Sequence, residues 1–313
     1  MTRCLICGEP HTKGGTFYHS RCCKRLFGQS RSPQLPHDMD ELNALAEKTV
    51  RRSIVVPGVQ PKLSLHLEQT GKEGSRLTVI GWEGRYILKP PVSEYPEMPE
   101  LEHLSMMLAQ ACGIATVPCG LIRLRSGEYT YITRRIDREN DHKLHMEDIC
   151  QLSDRLTEQK YRSSMERAGK TILHYSSNPG LDALRFFDMA LFSFIIGNAD
   201  MHLKNFSLLH RQDGLIVLAP AYDLLATKLL LPEDREESAL TINGKRNRLT
   251  LTDFVALGKN IRLNDKQIDN ALARFRHAIP TALNRISSGF ISPPLQEKLG
   301  ELMRERVQRL LER

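Results

Sequence analysis

The stretch from Leu181 to Gly197, LDALRFFDMALFSFIIG, is nearly all apolar. A surface helix keeps one polar face, so a helix that is apolar around its whole circumference has to be buried. This run therefore predicts the central helix of a mainly helical unit, and most of the chain after residue 140 reads as helix around it. The last 50 residues are amphipathic and end in a mixed-charge face of ordinary solvated helix. No run of 18 apolar residues exists, which argues against a membrane span. The opening MTRCLICGEPHTKGG has no apolar segment long enough for a signal peptide, so the expected compartment is the cytoplasm.

Upstream the periodicity changes from helical to alternating. Leu63, Leu65 and Leu67 alternate with Ser64 and His66, the pattern of a half-buried strand. Leu77–Ile80 and Tyr86–Lys89 predict two more strands, joined at Gly81-Trp82-Glu83-Gly84 and ended by Pro90-Pro91. From Glu97 to Ala111 Leu101, Leu104, Met107, Leu108 and Ala111 recur at helical spacing, with Gly113 as the stop. Leu121–Leu124 and Tyr129–Thr133 predict a hairpin around Ser126-Gly127. Phe206–Leu209 and Ile216–Leu218 predict another, turning at Asp213-Gly214, and Asn243-Gly244 marks a third near Leu240–Ile242. Nearer the start, residues 29–37 (QSRSPQLPH) read as a linker, and Asp38 to Val50 as a short helix with Asp38 as N-cap and Leu42, Leu45 and Ala46 on one face. The expected organisation is 1–50, a Cys/His-containing segment and helix; 51–136, a strand-rich lobe; and 137–313, a helical lobe. A cleft between two unlike lobes is a usual nucleotide site.

Lys and Arg number 44 against 37 Asp and Glu, a net charge of +7. The excess is concentrated early: Arg3, Lys13, Arg21, Lys24, Arg25 and Arg31 face the single acid Glu9. Four of the seven cysteines lie there too. Cys4, Cys7, His19 and Cys22 form C-x2-C-x11-H-x2-C, two close pairs that can converge on one tetrahedral Zn2+, with Gly14-Gly15 as the turn between them. Cys23 is an alternative to Cys22. Four protein ligands leave no open position, so such a zinc is structural. The competing reading is a set of free thiols in a basic arm with His19 solvated. A nucleic-acid knuckle finds little support, since Phe17 and Tyr18 are the only Phe, Tyr or Trp residues between Cys7 and His19. Cys112, Cys119 and Cys150 sit in apolar surroundings and read as small core residues.

The densest chemistry follows the apolar helix: Gly197-Asn-Ala-Asp200-Met-His202-Leu-Lys204-Asn205-Phe. Protein kinases use D-x4-N in their catalytic loop, the Asp accepting the substrate hydroxyl's proton and the Asn holding magnesium. Asp223, in Pro220-Ala-Tyr-Asp223-Leu after the second short strand, fits the further magnesium-binding Asp. The competing reading makes Asp200 a helix-end cap and Asp223 a turn residue. Upstream, Pro57-Gly58-Val59-Gln60-Pro61-Lys62 precedes a strand where a loop can cover phosphates. Lys89 ends a strand, and Glu102 on the next helix can pair with it. The blander alternative makes Lys89 a solvated strand end and Glu102 one of three surface acids with Glu97 and Glu100. Thr133, Arg134 and Ile136 would lie in the hinge, its backbone facing adenine. Gly169-Lys170-Thr171 has a Walker-like ending, but position 164 is Ser where that motif needs Gly.

The strings PGVQPKLSL, YILKP, E-x-H-L-x-M, ITRRIDR, GNADMHLKNFSL and APAYDLL resemble the HipA-type serine/threonine kinases, the toxin kinases of bacterial type II toxin–antitoxin modules. The resemblance covers about residues 50–313, and the CxxC, H-x2-C and K-x-x-F-G start is similar to a shorter, HipT-like branch. It implies an α+β, bilobal protein-kinase-like fold with a small strand-rich N-lobe, a mainly helical C-lobe and a Cys/His N-terminal extension. It also implies ATP and Mg2+. Asp200 would be the catalytic base; Asn205 and Asp223 would hold Mg2+. Gly58, Val59, Gln60, Lys62, Lys89 and Glu102 would bind ATP, with Thr133, Arg134, Ile136, His202 and Lys204 completing the nucleotide set. Aminoacyl-tRNA synthetases are the implied protein substrates. The implied partners are antitoxins: a DNA-binding one, so that DNA is met only indirectly, and a small subunit in place of the β-rich subdomain of longer members. No membrane is implied. The autophosphorylated loop positions of the family are Pro57 and Val55 here, with Ser53 the nearest hydroxyl, which points to restraint by a partner instead. Two alternatives stand beside this reading: a small-molecule kinase of the aminoglycoside or choline type, and a catalytically dead zinc-containing regulator.

Overall fold

The computed structural model describes residues 2–11, 17–50, 61–70, 74–80, 84–139 and 142–311. The chain forms two compact units. The first holds residues 1–104, 117–136 and 288–291, and the second 105–116, 137–287 and 292–313. One border between the units falls at 136/137, and the cysteine segment lies in the same unit as the strands.

The first unit is built on a five-stranded antiparallel sheet. Its strands are β3 (Leu63–Gln69), β4 (Ser75–Ile80), β5 (Tyr86–Lys89), β6 (Cys119–Arg123) and β7 (Tyr129–Arg134), in the order β4-β3-β5-β7-β6; the short pair β1 (Thr2–Arg3) and β2 (Pro10–His11) precedes them. Alternation sets the register as expected. Leu63 pairs Leu88 and Leu88 pairs Ile132, and all three are buried. The residues on this buried face share one core with Leu101 and Leu104 of helix α3 (Met98–Ala111), which follows α1 (Ser20–Phe27) and α2 (Met39–Val50). Asp38 caps α2 as expected, its Oδ1 accepting from the Glu41 N–H at 3.0 Å, and Leu42 is buried. The side chain of Ala46 lies outside the described residues. Gly113, at φ +79°, ends the α3 segment.

Residues 29–37 are not a free linker. Gln34 bridges to Arg76, donating to the Ser75 carbonyl at 2.9 Å and accepting from the Leu77 N–H at 2.8 Å. Leu35 is buried. Pro and Ser suppress helix and sheet runs, but they leave N–H and C=O groups that dock along the edge of β4.

In the second unit, helix α6 (Pro179–Ile195) is the core element, with Phe186, Phe187 and Phe192 fully buried. Around it pack α5 (Met165–Tyr175), α8 (Leu251–Asn260), α9 (Asp265–Arg285) and α10 (Pro293–Leu311). Gly169, the Walker-like glycine, lies inside α5, where a Cβ would come within 2.4 Å of Ile261. A three-stranded antiparallel sheet runs β10 (Met146–Asp148), β11 (Ser207–His210) and β12 (Ile216–Leu218), with β11 central. The pair β8 (Arg138–Glu139) and β9 (His142–Lys143) and strand β10 have no apolar alternation and escape a periodicity reading. At Asn243-Gly244 both residues take positive φ (50° and 77°), the turn expected, but the strands around it shrink to the single bridge Ile242–Lys245.

Asp182 ties the sheet to the central helix. It is fully buried, and its Oδ2 accepts from the Ser176 hydroxyl at 2.6 Å and the Leu218 N–H at 2.8 Å. Asp182→Ala strips both donors of their acceptor. The expected cost is about 2–4 kcal/mol from two bonds to a charged group, read as a lower midpoint in urea unfolding.

Candidate active site

Within the first unit, β5 delivers Lys89 and the first turns of α3 deliver Glu102. Their Nζ and Oε1 lie 2.5 Å apart, with side chains 5% and 2% exposed. This rules out the solvated-strand-end reading. Lys89 pairs in register with Tyr131, whose ring centroid is 5.3 Å from the ammonium. Glu100 is also buried, and burial pushes its carboxyl up to about 7, but the lysine's recorded ion pair is with Glu102. A charge pair at this depth holds only while both members are present.

Thr133 is buried in β7, with its hydroxyl on the Pro118 carbonyl at 3.2 Å. The N–H groups of Arg134 and Arg135 are committed to the Pro118 and Arg85 carbonyls at 2.9 and 2.8 Å, so neither remains for a ligand. Ile136 is half-buried at the end of this unit. Lys62 is exposed just before β3. Gly58, Val59 and Gln60, like Ser53, Val55 and Pro57, lie outside the described residues.

The second unit assembles the other set on the loop after α6. Gly197 reverses the chain at φ +71°, and a Cβ there would come within 2.6 Å of Leu302, so glycine is required. The loop is then held by its own polar groups. The Asn198 Oδ1 accepts from the Asp200 N–H at 3.1 Å, and the Thr227 hydroxyl accepts from the Ala199 N–H at 2.8 Å. The Asn205 Nδ2 donates to the Asp200 carbonyl at 2.9 Å, which leaves Oδ1 as the amide's acceptor. Asp200 itself is exposed, with its Oδ1 accepting from the Tyr161 hydroxyl at 2.6 Å.

His202 is buried and its Nδ1 has no partner among the described residues. Burial pulls its pKa down to about 4, against the opposing pull of the carboxylates of Asp200 and Asp223, so it is neutral at pH 7. The preceding residue brings the Asp223 segment to the loop, the Tyr222 hydroxyl donating to the Lys204 carbonyl at 3.0 Å. Asp223 takes φ +53°, a left-handed conformation that Asp tolerates better than most residues. Its segment is anchored by the Ala221 N–H on the Ala115 carbonyl at 2.8 Å. Lys204 turns to Asp148, with 3.0 Å between Nζ and Oδ2. The donor set of Asp223 and the Asn205 amide oxygen, all hard oxygens, fits a Mg2+ ion.

Tyr161 carries no sequence signal. It lies 39 residues before Asp200 in an irregular segment fixed by Arg246, which reaches the Tyr161 carbonyl at 2.7 Å and Glu236 at 3.2 Å. Burial, then the bond to Asp200, pushes its hydroxyl far above the usual tyrosine range.

Also in the first unit, Cys4, Cys7, His19 and Cys22 bring their ligand atoms within 4.8 Å of one another. Cys22, not Cys23, faces this cluster. The hydroxyl of neighbouring Tyr18 is spent on the Leu121 carbonyl. Cys112, Cys119 and Cys150 are buried as expected, and burial pushes the first two thiols up to about 12.

Together these elements make an α+β, kinase-like fold. The family model described as HipA-like C-terminal domain matches residues 54–283, and the chain belongs to that family. Among its relatives, "Putative kinase Y4mE" of Sinorhizobium fredii is 36% identical over 58% of this chain. A "Putative kinase" of Haemophilus influenzae is 27% identical over 76% of this chain and 75% of its own length. The chain spans only 44% of the length of Y4mE. Among solved structures, HipA of Shewanella oneidensis, determined with HipB and operator DNA, superposes with a TM-score of 0.68. It is 21% identical and the match covers 85% of this chain and 71% of HipA. The Helicobacter pylori proinflammatory kinase CtkA superposes at 0.56 with 17% identity, over 79% of this chain and 93% of CtkA. These two likenesses concern the fold. No helix among the described residues is long and apolar enough to cross a membrane.

Proposed function

We propose that this chain is an ATP- and Mg2+-dependent protein serine/threonine kinase, the growth-arresting member of a toxin–antitoxin pair that acts on a translation protein such as an aminoacyl-tRNA synthetase. The observation that carries the reading is the loop Gly197–Asn205. It presents an exposed carboxylate and an oriented amide, and the segment of Asp223 is bonded to it through Tyr222. In this reading Asp200 takes the proton from the substrate hydroxyl as its oxygen bonds to the γ-phosphorus of ATP and the bond from that phosphorus to the departing ADP breaks. Lys89, held extended by Glu102, binds the phosphates of ATP as an ammonium. Mg2+, held by Asn205 and Asp223, would neutralise charge on the transferring phosphoryl group. His202, neutral at pH 7, adds no positive charge to the loop. The family match and the names of the relatives support the kinase reading. The antitoxin partner is suggested by HipB in the Shewanella complex.

Tyr161 is a positioning residue in this scheme. Tyr161→Phe removes one hydrogen bond to a charged acceptor, about 1.5–3 kcal/mol. The expected result is a kcat lowered about tenfold or more with KM for ATP unchanged, measured by steady-state phosphotransfer.

The toxin role is tested by inducible expression in a bacterial host. Wild type should arrest growth while a phosphoserine or phosphothreonine appears on a translation protein, and Asp200→Ala should do neither. Equal growth of the two strains with no new phosphoprotein would sink the toxin reading. Label passing to a small molecule would favour the aminoglycoside- or choline-type alternative.

A further inference from the structure

The geometry points to one structural Zn2+ bound by Cys4, Cys7, His19 and Cys22, whose work is to seat helix α3 and thereby hold Glu102 against Lys89. The link to Glu102's role rests on the kinase reading; the metal site does not.

Two of the ligand–ligand distances are close to the edges of a tetrahedral site. Cys7 Sγ and Cys22 Sγ lie 3.3 and 3.9 Å from His19 Nδ1. The edges of a zinc tetrahedron with bonds of about 2.0–2.3 Å are about 3.5–3.8 Å. The imidazole is set for the task. Its Nε2 lies 3.1 Å from the Pro10 carbonyl, a bond only an Nε2–H can donate, so the Nδ1 lone pair faces the thiols. The His19 N–H lies 3.4 Å from Cys4 Sγ, the outer-shell bond that a thiolate ligand accepts. The tight turn between the first two cysteines closes through the Gly8 N–H on the Cys4 carbonyl at 2.9 Å. On binding, the thiols give their protons to solvent and the sulfurs become thiolate ligands.

What lies between Cys4 and Cys7 supplies the function. Leu5 and Ile6 are buried, and the Leu5 carbonyl accepts from the Leu121 N–H of β6 at 2.7 Å. The approach is close enough that a Cβ on Gly120 would sit 2.7 Å from Ile6. The Ile6 carbonyl, in turn, accepts from His103 Nε2 at 3.0 Å. His103 is fully buried on α3, next in sequence to Glu102. The metal turn is therefore one wall of the seat in which α3 lies, bonded on one side to the sheet and on the other to the residue beside Glu102. Backbone bonds such as the Cys4 N–H on the Glu9 carbonyl at 2.9 Å begin to hold that shape, and a metal ligand at each end fixes it.

The test begins with metal content. The full chain, purified without metal-affinity resin, should carry one Zn2+, with mass spectrometric metal analysis as the readout. Replacement by Co2+ should give the thiolate-to-cobalt charge-transfer band of a sulfur-rich tetrahedral site, and Cys22→Ser should lose both signals. Should Cys22→Ser fail to fold, chelation and re-addition of Zn2+ to the wild-type chain asks the same question. Amide hydrogen exchange then reads the coupling. Removing the metal should speed exchange in residues 99–104 by about tenfold or more, and Zn2+ should restore it. His103→Ala should keep the metal yet show the same faster exchange. Substoichiometric metal with no cobalt–thiolate band would overturn the site. Full metal with exchange in α3 indifferent to its removal would overturn the coupling. Neither result depends on phosphotransfer, so both remain readable if the kinase reading fails.

Discussion

Asp200→Asn lowers the rate of phosphoryl transfer by about 10²–10⁴-fold, the usual worth of a positioned general base. The substitution keeps the shape of the side chain and its bond from the Tyr161 hydroxyl, and removes only the ability to take a proton. The loop around it does not depend on that carboxylate. Its backbone is fixed by Asn198, Thr227 and Asn205 through bonds of 3.1, 2.8 and 2.9 Å. The thermal midpoint should therefore stay close to that of wild type. Steady-state kinetics should show kcat and kcat/KM falling together, the mark of an interaction made only in the transition state. A variant that keeps wild-type kcat would remove Asp200 from the chemistry.

Lys89→Met carries the largest expected cost in stability. It takes away the ammonium that faces the Glu102 carboxylate, a side chain only 2% exposed. Breaking a buried pair this way costs about 3–5 kcal/mol, so the urea midpoint should fall steeply. The matching double change, Lys89→Met with Glu102→Leu, replaces the pair by apolar groups of similar size and should recover most of the loss. Activity should behave differently. If the ammonium binds the phosphates of ATP, the double variant is folded and still inactive. Recovery of stability together with activity would make the pair purely structural. No recovery of either would mean that the site cannot repack around apolar groups.

Much of this was legible in the chain. The apolar run at Leu181–Gly197 fixes the central helix because no other environment suits it. The alternation at Leu63–Leu67 fixes β3 because a one-residue slip would expose its leucines. The clustered Cys and His residues could be grouped from spacing alone, since two close pairs joined by a turn converge readily. The misses share a cause. The docked segment Gln34–His37, the short strand Met146–Asp148 and Tyr161 are placed by partners far away in sequence: Ser75 and Leu77, Leu209, and Asp200 with Arg246. Each depends on a tertiary contact, and local composition holds no trace of it. The pairing of Lys89 with Glu102 lay between these extremes. The residue types suggested it, but burial, which decides between a functional pair and two solvated charges, appears only once α3 is laid on the sheet.

The account's central claim is that this chain transfers phosphate from ATP to a protein. Purified wild type and Asp200→Ala, each added with γ-labelled ATP and Mg2+ to a bacterial lysate, test it most directly. The account predicts a discrete labelled protein band with wild type and an almost blank lane with Asp200→Ala. A band of equal intensity in both lanes, or label in neither while ATP·Mg binds the wild-type chain, would contradict it.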